Sequence, residues 1–62
     1  MTKDKSKIRH DFINNGLRLE LLHNMIIESL EKKTEINPEY LDDLENFLKE
    51  QVELTKEIKE FF

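Results

Sequence analysis

Thr34-Glu35-Ile36-Asn37-Pro38-Glu39-Tyr40-Leu41 decides the fold. The Asn37 side chain can accept a backbone hydrogen bond at a helix start. Pro38 suits the first helical position, where its missing N–H costs nothing. Ile36 and Leu41 take the two places of a hydrophobic staple. A helix therefore begins at Pro38, with residues 34–37 as a short turn before it. Gly16 and Pro38 are the only Gly and Pro of the 62 residues. With so little turn material, neither a β-sheet nor a glycine-rich phosphate loop is expected. The break leaves two stretches of similar length, and two helices joined by a short turn make an antiparallel hairpin.

The first helix is expected over about residues 4–33. Ile8, Phe12, Leu19, Leu22, Ile26 and Leu30 recur at spacings near 3 and 4, the pattern of one buried stripe. Ile13, Leu17, Leu21 and Met25 make a second stripe on a different side. The second helix is expected over about residues 38–62. Its seam is Tyr40, Leu44, Phe47, Gln51, Leu54, Ile58 and Phe61, alternating 4 and 3, with Gln51 as the one polar member. Leu41, Leu48, Val52 and Phe62 flank it. A lone hairpin cannot cover all of this apolar surface, so two copies are expected to pair. The fold class is all-α: a single domain over residues 1–62, an antiparallel two-helix hairpin dimerising into a four-helix bundle, with Leu44, Phe47 and Leu48 facing Leu22 and Ile26 or their dimer mates.

Composition agrees. A chain of 62 residues buries little core alone and usually gains one by association. There is no cysteine, hence no disulfide framework and no thiolate metal site. Charged residues make up 39%, which suits solvated helix faces. Lys3, Lys5, Lys7 and Arg9 crowd the start, while acids dominate residues 39–62. A net charge of −4 and a basic run confined to the first turns argue against nucleic-acid binding. No apolar run approaches the roughly 18 residues of a membrane span, and no secretory segment is present. A cytoplasmic protein with no membrane span is expected. The opening Met1 suits a complete small protein, although a piece of a larger kinase would read the same.

The chemistry-bearing stretch is His10-Asp11-Phe12-Ile13-Asn14. Neutral imidazole is a nucleophile near neutral pH, and an adjacent carboxylate can take its proton or fix its tautomer. Asn14 is one helical turn on and lies over the same patch. His23 falls on another side of the helix, which leaves no shared metal face with His10. No metal and no cofactor are expected.

His10-Asp11-Phe12-Ile13-Asn14-Asn15-Gly16-Leu17-Arg18-Leu19 resembles the H-box of the dimerisation and histidine-phosphotransfer domain of bacterial sensor histidine kinases. That family folds as a helical hairpin dimerising into a four-helix bundle. The resemblance implies that His10 is a phosphoacceptor through Nε2, that Asp11 orients or deprotonates the imidazole, and that Asn14 positions water when a partner's aspartyl phosphate is hydrolysed. Asn15 stands where the family usually has proline, and Gly16 follows it. The ATP-binding domain such kinases carry after the second helix is not expected here, nor is self-phosphorylation from ATP.

The expected function is a stand-alone phosphotransfer hairpin of two-component signalling, exchanging phosphoryl groups between His10 and an aspartate of a response-regulator receiver domain. The partner would dock near Leu17, Arg18 and Leu21, with help from residues 52–55. The rival reading is a non-catalytic hairpin that docks on a kinase or regulator and inhibits it. A small two-helix aspartyl-phosphate phosphatase ranks below both, because its Ser-Gln-Glu-Leu-Asp run is absent.

Overall fold

A computed structural model describes residues 4–62. It is an all-α hairpin of α1 (Lys5–Lys32) and α2 (Pro38–Phe61), packed along each other. The described residues form a rod of 46 × 15 × 14 Å. Lys3 of the basic start lies outside them.

Both helix starts follow their caps. Asp4 accepts a hydrogen bond from the Ser6 N–H at 2.9 Å, and Asn37 accepts one from the Glu39 N–H at 3.0 Å, with Pro38 beginning α2. The end of α1 was not marked by a glycine. Lys33 takes the left-handed conformation there, at φ 55°. The Thr34 N–H reaches the Ser29 carbonyl at 3.0 Å and the Lys33 N–H reaches the Leu30 carbonyl at 3.3 Å. These two bonds are the Schellman pattern, which satisfies carbonyls the helix leaves unpaired. In the last turn Lys32 bonds Glu28 at 2.6 Å and holds its carboxyl below the ordinary range. Both side chains are well exposed, so the pair adds little stability.

The α2 seam is the one the spacing predicts. Tyr40, Leu44, Phe47, Gln51, Leu54, Ile58 and Phe61 are all buried or half-buried. The α1 seam differs from the expected stripe. It runs Ile8, Phe12, Asn15, Leu19, Leu22, Ile26 and Ser29, again alternating 4 and 3. Asn15 is only 6% exposed, whereas Leu30 is 62% exposed. The physical reason is a polar pair across the hairpin. The Asn15 amide donates to the Phe47 carbonyl at 2.9 Å and to the Gln51 side-chain oxygen at 2.7 Å. Two good hydrogen bonds allow a carboxamide into the seam. The same 4–3 alternation then lands on Ser29 and leaves Leu30 one position outside. Leu48, expected to face Leu22 and Ile26 or their dimer mates, is exposed in the single hairpin.

The apolar core is short. Among the described residues Ile8, Leu22 and Leu54 are the buried apolar ones, while Ile13, Leu17, Leu21, Leu30, Leu48 and Val52 remain open. Leu22→Ala should therefore destabilise by about 2–5 kcal/mol, the range for deleting a buried leucine. Leu17→Ala should stay within about 0.5 kcal/mol, as exposed positions do. Urea unfolding of the two variants, monitored by circular dichroism, checks both. Equal losses would mean that α1 buries its other stripe.

Candidate functional site

His10 lies in the second turn of α1, well beyond the N-cap, and its side chain is 73% exposed. Helix geometry puts Asn14 one turn further along. The Asn14 amide nitrogen stands 3.0 Å from His10 Nε2 and 3.2 Å from Nδ1. The Asp11 carboxylate is 3.7 Å from Nδ1, too long for a good hydrogen bond but close enough to bias where the ring proton sits. The three residues expected to act together are thus brought together.

They stand on one wall of an open groove of about 540 Å³. From α1 come His10, Asp11, Asn14, Asn15 and Arg18. From α2 come Asn46, Phe47, Glu50 and Leu54. Asn15 is tied to Phe47 and Gln51, which fixes the two walls at one level. The Arg18 guanidinium carbon lies 5.8 Å from the centre of the Phe47 ring, so the groove lining holds a cation over an aromatic face. Arg18, His10 and Asp11 on the α1 wall and Glu50 on the α2 wall give a lining of mixed charge.

The residues expected at a docking surface divide. Arg18 lines the groove. Leu17 and Leu21 are exposed and stand in line with His10, two and three turns along α1. On α2, Leu54 lines the groove, whereas Val52 is exposed on another side. Asn46 and Glu50 were not foreseen. They become visible only once the level of pairing is known, with Asn15 opposite Phe47 and Gln51. His23 is exposed, away from the groove. Among the described residues no three His, Cys, Asp or Glu side chains are grouped to hold a metal ion, and no helix is long and apolar enough to cross a membrane. Of the basic start, Lys7 and Arg9 are exposed, and the Lys5 ammonium sits 5.7 Å from the Phe62 ring centre, joining the two ends of the hairpin.

No protein-family model, curated protein or solved structure matches this chain.

The arrangement can present one ring nitrogen of His10 to an electrophile, with an acid and an amide donor beside it. None of this side chain enters the core. His10→Gln should accordingly leave the unfolding free energy within about 0.5 kcal/mol of the wild type. A larger loss in urea denaturation would mean that the imidazole helps to hold the fold.

Proposed function

We propose that this hairpin is a dimerising phosphotransfer element of two-component signalling, in which His10 exchanges a phosphoryl group with an aspartate of a response-regulator receiver domain. The observation that carries the reading is the solvent-facing imidazole of His10, with Asp11 and Asn14 beside it at the mouth of a groove walled by both helices. The resemblance of residues 10–19 to the histidine-kinase H-box points the same way.

The Asp11 charge favours the ring proton on Nδ1 and leaves the lone pair on Nε2. That lone pair attacks the phosphorus of the aspartyl phosphate. The N–P bond forms, the P–O bond to the aspartate breaks, and its electron pair returns to the carboxylate. The resulting imidazolium carries its proton at Nδ1, facing Asp11. Transfer in the other direction reverses these steps. Leu17 and Leu21, exposed in line with His10, offer the receiver an apolar seat, and Arg18 in the groove lining offers it a cation.

A second copy of the chain covers the side away from the groove. Leu48 stands two residues from both Asn46 and Glu50, and Val52 two residues from Glu50, about 200° around α2 from the groove wall. With Leu41 and, from α1, Ile27 and Leu30, they form an exposed apolar face. The three buried apolar residues among those described are too few to hold such a hairpin alone. Burying this face in a four-helix bundle supplies the missing core and leaves both His10 sites outside.

The non-catalytic reading, a hairpin that docks on a kinase or regulator, draws on the same exposed Leu17 and Leu21 but needs no reactive histidine. Incubation with phosphoramidate separates the two. Acid-labile, base-stable phosphate should appear on the wild type and not on His10→Gln. In sedimentation both proteins should run at twice 7.5 kDa. A wild type that takes no phosphate would overturn the transfer reading and leave the docking module; a well-folded monomer would overturn the dimer.

A further inference from the structure

Gly16 sits half-buried in the middle of α1, where the single hairpin has no use for a glycine. Glycine weakens a helix interior relative to alanine. No glycine of the described residues has a positive φ, so the backbone does not require it. A methyl group at this position would meet, outside its own helical turn, only Gln51 Nε2 at 4.0 Å, an ordinary contact. What lies beside Gly16 is the open apolar face. Ile27 and Leu30 follow about three and four turns later, within about 40° of Gly16 around α1. Across the hairpin, Gly16 is level with Leu48. Asn15 bonds both Phe47 and Gln51, which puts it level with the middle of that α2 turn. In an antiparallel pair the next residue of α1 then meets the height of Leu48, whose side chain is open to solvent. We propose that a second copy packs on this face with its two-fold axis along the rod, so that Leu48 of each copy seats in the notch at Gly16 of the other.

The exposed area suits a second copy. The chain leaves 5251 Å² open to solvent. A compact folded protein of 7.5 kDa exposes about 4,200 Å². The surplus of about 1,000 Å² is on the scale of the roughly 800 Å² that each partner buries in a standard interface. The direction of the axis follows from the two ends of the face. Exposed Arg9 and Lys59 stand on this side near one end of the rod, while Ile27, Leu30 and Leu41 lie toward the other. An axis across the rod would lay that apolar end on the partner's cations. An axis along the rod lays apolar surface on apolar surface and leaves the cations at the open end, in water. It also sets α1 against the partner's α2 at matching height, and the side chain that then faces Gly16 is Leu48. A large side chain over a missing one lets two helix layers interlock and their backbones approach. The groove and His10 stay on the opposite side. This contact rests on the dimer reading and fixes its axis and level.

Size exchange and single cysteines test it. In sedimentation equilibrium, Gly16→Leu should raise the dimer Kd at least about ten-fold while helicity by circular dichroism is kept, because the added bulk displaces the partner. Adding Leu48→Ala to Gly16→Leu should recover most of that loss, since the new side chain then fills the space that Leu48 leaves in the partner. The chain has no cysteine of its own. Gly16→Cys and Leu48→Cys chains, mixed in equal amounts and oxidised by air, should yield 16–48 links at least about five-fold in excess of 16–16 and 48–48 links, because a disulfide needs Cα atoms within about 7 Å. Mass spectrometry of the unreduced product counts the three. Should Gly16→Leu lose helicity, the cysteine links decide alone. A Gly16→Leu protein that dimerises as tightly as the wild type, a double variant with no recovery, or like links as frequent as 16–48 links would each overturn the notch and leave the dimer standing. A wild type that sediments as a well-folded monomer at micromolar concentration would remove the dimer reading and the notch together.

Discussion

The hairpin turns on one carboxamide. Helix α1 carries two apolar stripes, and either could face α2. The inward one is the stripe containing Asn15, a residue that ordinary hydrophobic reasoning would leave outside. Asn15 is accepted because Phe47 and Gln51 of α2 take both of its amide hydrogen bonds, and no described buried side-chain polar atom is left unpaired. Rotating α1 to bury Ile13, Leu17 and Leu21 would break that pairing and turn His10 toward α2. Buried polar pairs of this kind are weak sources of stability but strong selectors among alternative packings. Here the pair selects the rotation of α1 and the level at which the helices meet. The groove beside His10 is a consequence of both.

The same choice explains why the isolated hairpin exposes so much apolar surface. The stripe that was not selected, Ile13, Leu17 and Leu21, stays on the outside in line with His10. The flank of α2, Leu41, Leu48 and Val52, stays outside on the side away from the groove. Two separate apolar surfaces suit two partners, a second copy and a docked receiver. That division would let the proposed dimer form without covering the histidine, and would let the proposed receiver approach without opening the proposed bundle.

Much of this was legible in the sequence. The cap at Asn37, the proline after it and the unbroken 4–3 spacing from Tyr40 to Phe61 are local signals, and they mark α2 correctly. The His10, Asp11 and Asn14 cluster was legible for a similar reason: helix geometry alone makes residues one turn apart neighbours. What depends on both helices at once was not. Asn15 reads as a gap between Phe12 and Leu19 until its partner Gln51 is placed opposite it. Leu30 reads as core until the seam is seen to land on Ser29. Asn46 and Glu50 carry no signal of their own and become groove wall only through the level of pairing that Asn15 sets. The left-handed end of α1 at Lys33 was hidden because the position lacks the usual glycine.

A double-mutant cycle on Asn15 and Gln51 tests the central claim most directly. Each single change to alanine removes one partner of the buried pair and should destabilise by about 1–3 kcal/mol in urea unfolding at fixed protein concentration. The account predicts a favourable coupling of about 1 kcal/mol or more between the two positions, so that the double variant loses clearly less than the two single losses together. Strict additivity would contradict it: Asn15 and Gln51 would then not meet in the seam, and the pairing that turns His10 toward the groove would have to come from somewhere else.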